Sequence, residues 1–108
     1  MRNKFVNDCL TNVEWDKEIE WLVSGIIKKR SNETLKFDIR NLKEFKENII
    51  GKLINSKNPS DKILFEDNKK WILIDTKEFI EYMEKNKIKE INLKDLVLNL
   101  EWNIIINK

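Results

Sequence analysis

The chain has 108 residues, of which 41% are hydrophobic and 37% are charged, and its formal net charge is +2. This length suits one domain spanning 1–108, and no apolar run reaches the roughly 20 residues of a membrane-spanning helix. The sequence has no histidine and one cysteine, Cys9, which excludes the usual zinc sites, a Cys–His catalytic pair and an intrachain disulfide. We therefore expect a cytoplasmic, non-enzymatic domain that uses no cofactor and binds no membrane.

The first half of the chain predicts a helix, a strand and a second helix. Residues 1–10 show no clear period, and we expect them to form a short helix or an N-terminal arm. A capping-box spacing at Thr11 precedes apolar residues at helical spacing, which predicts a helix over about 12–30. Strict alternation then predicts a half-buried strand over 34–40, and a second helical stripe predicts a helix over about 42–56.

A β-hairpin and a helix follow without a linker. Two apolar runs, Ile63–Phe65 and Trp71–Ile74, flank a polar tip, which is the pattern of a hairpin. Asp75 follows the second run and has Glu78 three residues later, the spacing of a helix N-cap with its reciprocal partner. We expect this helix to end near Asn86.

The C-terminal part predicts a short helix and a strand. Asn92 caps the helix, and the apolar run over 101–106 predicts a strand that is either covered on both faces or lies at a sheet edge. The predicted order is α-β-α-β-hairpin-α-α-β, an α+β fold. A hairpin that follows a second helix resembles the winged-helix architecture, with the hairpin as the wing. Two further helices and a strand after the hairpin depart from that pattern.

The first functional hypothesis is binding to DNA, or to RNA, through a basic hairpin and helix surface. Lysine greatly outnumbers arginine, which suits contacts to phosphates better than readout of guanine. The chain is rich in Lys, Asn and Ile and lacks Ala and Gln, which favours an AT-rich genome such as a plasmid, phage or other mobile element of a low-GC bacterium. The candidate residues are Asn68, Lys69 and Lys70 at the hairpin tip, Lys28, Lys29 and Arg30 in the last turn of the first helix, and Lys43, Lys46 and Lys52 on the second helix.

The alternative hypothesis is a protein-binding inhibitor or accessory factor, of the anti-defence or toxin-immunity type, whose partner is a host or defence protein. Trp21 falls on the polar side of the predicted first helix, where a large aromatic residue usually packs against another element or a partner. Trp21 on a polar face and the apolar C-terminal strand both lack a partner in a monomer, and we therefore expect a homodimer. The candidate interface residues are Trp21, Tyr82, Ile104 and Ile106.

Overall fold

The computed structural model describes residues 3–30, 32–41, 49–50, 60–66 and 68–108, and a mixed β-sheet dominates it. The strands are β1 (Leu10–Trp15), β2 (Leu22–Ile27), β3 (Leu35–Asn41), β4 (Ile49–Ile50), β5 (Lys62–Glu66), β6 (Lys70–Asp75), β7 (Ile91–Asn92) and β8 (Asn103–Asn107). The helices among these residues are α1 (Lys4–Cys9), α2 (Thr76–Lys85) and α3 (Leu93–Asn99). The spatial order of the main sheet is β1-β2-β3-β5-β6-β8, and β4 pairs with β7 in a second, two-stranded sheet.

Helices cover both faces of the main sheet. Successive side chains of a strand point to opposite faces, so the apolar strands supply two cores at once. We call the two sides the α1 face and the α2/α3 face, after the helices that pack on them. The buried residues of the α1 face are Phe5, Val6, Leu10, Val23, Ile27, Phe37, Leu64, Trp71 and Leu73. Those of the α2/α3 face are Ile63, Phe65, Ile72, Ile74, Phe79, Met83, Leu93, Leu96 and Leu100.

The predicted hairpin is confirmed, but its position in the fold corrects the predicted architecture. β5 and β6 pair antiparallel, and both apolar runs, Ile63–Phe65 and Trp71–Ile74, are buried along their whole length. β3 pairs parallel with β5 on one side, and β8 pairs antiparallel with β6 on the other. The hairpin is therefore the middle of a sheet. The predicted order, the packing of a hairpin among helices and the winged-helix resemblance are all wrong.

The predicted helix over 12–30 is also wrong, because this segment forms β1 and β2. The two strands pair antiparallel, with Trp15 opposite Val23 and Leu10 opposite Ile27. Gly25 lies in β2 rather than in a helix, and a Cβ atom there would come within 3.1 Å of Leu10 Cδ1. The close approach of β1 to β2 therefore favours glycine at this position.

Three other local predictions are confirmed, each with a clear physical cause. The strand predicted over 34–40 is β3. The Asp75 carboxylate accepts the N–H of Glu78 at 3.0 Å, which caps α2, and the Asn92 side chain accepts the N–H of Lys94 at 2.9 Å, which caps α3. The reciprocal role predicted for Glu78 is wrong, because its carboxylate instead accepts the N–H groups of Glu101 and Trp102. Of the two alternatives for the C-terminal strand, the structure shows an edge strand, β8. The helix predicted over 42–56, with Lys43, Lys46 and Lys52, lies outside the described residues apart from β4.

Of the two alternatives for the first ten residues, the structure shows a short helix that packs into the core. Asn3 caps α1 by accepting the N–H of Val6 at 3.1 Å. The Phe5 ring is fully buried and meets Phe37 and Trp71 edge to face, with centroids 6.2 and 5.6 Å away. α1 therefore supplies part of the core on its face of the sheet.

Candidate functional site

An acidic segment, residues 14–21, comprises the end of β1 and the turn that leads to β2 at one corner of the sheet. Its sequence is Glu-Trp-Asp-Lys-Glu-Ile-Glu-Trp, with four carboxylates and one ammonium group. The Asp16 carboxylate accepts the N–H groups of Glu18 and Ile19, both at 2.8 Å. These hydrogen bonds, led by that from Ile19, hold the pKa of Asp16 below its ordinary value. The turn is thus fixed by a group that stays charged at neutral pH. We call residues 14–21 the acidic loop.

Trp21 ends the acidic loop and is the largest side chain exposed there. Its relative exposure is 49%, which is high for a tryptophan. Its backbone C=O accepts the N–H of Ile39 at 2.9 Å, and the guanidinium carbon of Arg40 lies 5.5 Å from the ring centroid. β3 therefore holds the Trp21 backbone through a hydrogen bond and contacts its ring through the cation–π pair with Arg40.

Arg40 is in turn held by Asp38, a carboxylate buried within the sheet. Asp38 is only 3% exposed, and its Oδ2 accepts a hydrogen bond from Arg40 Nη2 at 3.0 Å. Arg40 Nε also lies 2.8 Å from Asp38 Oδ1, but its N–H direction misses that oxygen, so this contact is an ion pair without a hydrogen bond. One hydrogen bond and one close ion pair together restrict the position of the guanidinium group. The chain Asp38–Arg40–Trp21 thus connects an exposed ring to a buried charge.

A shallow cavity of about 480 Å³ and another of about 450 Å³ open on the sheet. The smaller one adjoins the acidic loop, and the carboxylates on its wall outnumber the cations. Its lining residues are Glu14, Trp15, Asp16, Lys17, Glu18, Leu22, Ser24 and Lys36. The surface that residues 14–18 of the acidic loop help to form is therefore both concave and acidic.

The larger cavity lies on the α1 face, beside Trp102, a residue that the sequence interpretation did not select. The Lys62 ammonium lies 3.7 Å from the Trp102 ring centroid and 2.8 Å from Asp75 Oδ1. Burial raises the pKa of Asp75, but the hydrogen bonds from Lys62 and from Glu78 outweigh it, and the pKa lies below its ordinary value. The positive charge of Lys62 already faces the Asp75 carboxylate and the Trp102 ring. This cavity therefore offers a ligand little net charge. Its walls are Ile27, Arg30, Glu33, Leu35, Lys62, Trp102 and Ile104.

Three lysines meet at the tip of the β5–β6 hairpin, and we call Lys69, Lys70 and Lys108 the lysine corner. The N–H of Lys108 donates to the C=O of Lys69 at 3.0 Å, and its ammonium lies 2.9 Å from Glu66 Oε2. Asn68 and Lys69 are exposed at the tip. Of the predicted nucleic-acid contacts, Asn68, Lys69 and Lys70 thus share one corner.

Glu66 links the lysine corner to the core. It accepts hydrogen bonds from Trp71 Nε1 at 2.8 Å and from Asn3 Nδ2 at 3.3 Å. Burial raises the pKa of Glu66, but the hydrogen bonds from Trp71, Lys108 and Asn3 together outweigh it and leave the pKa below its ordinary value. The carboxylate therefore remains an anion that neutralises part of the lysine charge.

The other basic group, Lys28, Lys29 and Arg30, lies at the opposite end of the sheet. These residues are exposed in the turn after β2 and precede Leu35, where β3 begins. β3 runs parallel to β5 and brings Asn41 opposite Glu66, next to the lysine corner. Six residue steps of about 3.3 Å separate Leu35 from Asn41, so the two groups are at least about 20 Å apart. A single protomer does not bring them together.

The predicted interface residues occupy three different surfaces. Trp21 is exposed beside Arg40, Tyr82 is half-buried against the core of the α2/α3 face, and Ile104 and Ile106 are half-buried on the α1 face. The most exposed residue of β8 is Ile105, at 49%. Sequence reasoning missed it because the exposed side of an edge strand depends on its register with β6.

Three further properties of the described residues concern metal ligands, the Cys9 thiol and the length of the helices. Among these residues, no group of three or more His, Cys, Asp and Glu side chains is placed to hold a metal ion. Burial, together with the Asp8 carboxylate, raises the pKa of the Cys9 thiol, which opposes formation of a thiolate nucleophile. None of the described helices has the length and apolar character needed to cross a membrane.

The sequence matches no family model, no curated protein and no solved structure.

Proposed function

We propose that the protein is a non-enzymatic, protein-binding domain that presents the acidic loop, with Trp21 at its C-terminal end, to a basic surface of a partner. It would act as an inhibitor or accessory factor by covering that surface. The observation that supports the proposal is the half-exposed Trp21 ring, held in place through Arg40 by the buried Asp38. The other surfaces described above have no aromatic side chain that is exposed and also fixed from the core.

Preorganisation is the energetic reason for selecting Trp21. Binding orders the side chains of an interface, and each rotamer-rich side chain that becomes fixed costs about 0.5–1.5 kcal/mol. The Trp21 ring and its loop are already held by Arg40 and by the two hydrogen bonds to Asp16. A tryptophan of this kind is typical of the few residues that supply most of the free energy of binding.

The charge of the acidic loop predicts the class of partner. Residues 14–21 carry four carboxylates and one lysine, a local charge of −3 in a chain whose formal net charge is +2. Complementary charge accelerates association and suppresses wrong partners more than it raises affinity. We therefore expect a partner with a basic surface, the class that includes proteins that bind nucleic acids.

The test compares Trp21→Ala with wild type. Proteins retained from an extract of the source cells by each form are identified, and a protein retained by wild type alone is then purified and titrated. Loss of a central aromatic residue usually costs at least about 2 kcal/mol, which corresponds to about a 30-fold weaker Kd. We expect a basic partner and an association rate that falls as salt is raised.

Leu98→Ala is the matched control. Leu98 is an exposed apolar side chain on α3, away from the acidic loop, so its removal should leave the affinity unchanged. Glu18→Gln with Glu20→Gln should slow association and change dissociation little. Equal binding by wild type and Trp21→Ala, or an equal loss in Leu98→Ala, would refute the proposal.

Nucleic-acid binding is a second candidate, favoured by the lysine corner. Lys69, Lys70 and Lys108 come together there through the hairpin turn and the end of β8. Lysines on an exposed turn suit contacts to phosphates, which are not specific for sequence. The Lys28–Arg30 group, at the far end of the sheet, does not extend this corner within one protomer. The lysine corner alone therefore predicts weak, salt-sensitive binding.

A further inference from the structure

The strand β8 has the features of an edge that is used for pairing. Among the described residues, β6 is the only strand that pairs with β8. Natural edge strands are usually protected by charged residues, proline, a bulge or a covering element. The sequence of β8 is Asn-Ile-Ile-Ile-Asn, without charge or proline, and its register with β6 is regular from Asn103 to Asn107. Half of the Ile105 surface remains exposed.

The orientation of the backbone groups of β8 follows from one hydrogen bond. The N–H of Lys108 donates to the C=O of Lys69, on the β6 side. The N–H and C=O groups of successive residues in an antiparallel strand point to alternate sides. The N–H and C=O groups of Asn103, Ile105 and Asn107 therefore point away from β6.

The sequence of β8 is the same in both directions about Ile105. If a second copy pairs antiparallel with β8 around a two-fold axis at Ile105, Asn103 meets Asn107 of the second copy, and Ile105 meets its own equivalent. In this register every outward N–H of one copy faces an outward C=O of the other. Ile104 and Ile106 also meet across the axis on the α1 face, in pairs whose side chains are close.

The two ends of this register are complementary as well. Trp102 lies opposite Lys108 of the second copy, and both side chains are on the α1 face, where Trp102 packs against the core and Lys108 lies over Trp71. An ammonium group opposite an aromatic ring is a favourable pair. The residues of β8 between Trp102 and Lys108 carry no charge. At each end, Lys108 approaches a ring that Lys62 also contacts, and both lysines have a carboxylate partner, Glu66 for Lys108 and Asp75 for Lys62.

We propose that β8 is a homodimer interface, in which two copies join their sheets through antiparallel β8 strands about a two-fold axis at Ile105. Isologous pairing of this kind is the commonest symmetry of soluble oligomers. The sheet then continues across the interface as twelve strands. The dimer is independent of the proposed function, because β1 and the acidic loop lie at the opposite edge of the sheet.

Sedimentation of the full chain over the micromolar range tests the dimer. We expect wild type to dimerise and Ile105→Lys to remain monomeric, because two ammonium groups would meet at the axis. Ile105→Glu should be monomeric for the same reason. An equimolar mixture of Ile105→Lys and Ile105→Glu should form a dimer again, since opposite charges then meet at the axis. Recovery in the mixture is specific to a register in which position 105 faces itself.

A proline scan checks the fold and the direction of the hydrogen bonds. Ile105→Pro removes an N–H that points outward, so it should abolish the dimer and preserve the folded monomer. Ile104→Pro removes an N–H that bonds to β6, so it should lower the melting temperature. Leu98→Lys adds the same charge on α3 and should leave the dimer intact.

Three results would overturn the proposal. The first is a wild type that stays monomeric at the highest concentration. The second is a dimer that persists in both Ile105→Lys and Ile105→Pro. The third is a mixture of Ile105→Lys and Ile105→Glu that stays monomeric. A monomeric wild type that instead binds a strand of another protein at β8 would also reject self-pairing. Failure of the Trp21 test would leave the dimer unaffected.

Discussion

Replacement of Phe5 by alanine gives the strongest test of the fold, because it concerns a helix of only six residues. The Phe5 side chain is fully buried, and its ring lies edge to face with Phe37 and with Trp71. Truncation of a buried phenylalanine to alanine costs about 3–5 kcal/mol, as lost transfer free energy plus the cavity that remains. Two lost aromatic pairs favour the upper half of this range. A domain of this kind has about 5–15 kcal/mol in total, so the variant should be close to unfolding.

Urea denaturation and thermal melting measure this loss. Each 1 kcal/mol shifts the melting temperature by about 4–8 °C in a domain of up to 100 residues, so a loss of 3 kcal/mol predicts at least about 12 °C. Lys4→Ala changes an exposed side chain of the same helix and should stay within about 0.5 kcal/mol of wild type. Phe5→Leu keeps most of the volume and should fall between the two. If Phe5→Ala melted within about 3 °C of wild type, α1 could not be packed on the sheet as described.

Two further predictions concern charge. In the folded protein the pKa values of Glu66 and Asp75 lie below their ordinary values of 4.5 and 3.8. The unfolded state therefore binds more protons than the folded state at acidic pH, and the free energy of unfolding should fall as the pH drops through these values. Glu66→Gln should make the urea midpoint depend less on pH between 5 and 3. If the lysine corner binds duplex DNA, replacing Lys69 and Lys70 by alanine should reduce the slope of log K against log salt by about 1.8, and an unchanged slope would exclude contacts from these lysines.

The parts of the fold that the sequence predicted are those fixed by neighbouring residues. The runs Ile63–Phe65 and Trp71–Ile74 lie on either side of one turn, so their pairing needs only local contacts. Asp75 caps α2 through a residue three positions away. Such interactions are visible in a short stretch of sequence, and the structure confirms them.

The segment from Thr11 to Arg30 could not be assigned in this way. Leu22, Val23 and Ile26 satisfy a helical stripe, but the same run also contains the β-branched residues that favour a strand. The deciding interactions come from elsewhere, because β2 pairs with β3 and β1 closes over Gly25. Sheet pairing therefore overrides the local helical pattern here.

The candidate site was only partly accessible to sequence reasoning. Trp21 stood out because an aromatic side chain did not fit the predicted apolar stripe. Its partners Arg40 and Asp38 lie on another strand, and only the pairing of β2 with β3 brings them to the same corner. The significance of the four acids in the loop likewise depends on their lying in an exposed turn beside that tryptophan.

The pairing of β8 with β6 has a consequence for folding during synthesis. β6 ends at Asp75 and β8 begins at Asn103, with α2, β7 and α3 between them. At about 5–20 residues per second, the 27 intervening residues, 76–102, take about 1–5 s to synthesise. Throughout that interval the β8 side of β6, with its apolar run Trp71–Ile74, is an unpaired strand edge of the kind that can pair with another chain. A chaperone that binds this run on the ribosome should therefore raise the yield of folded protein without changing the stability of the final structure.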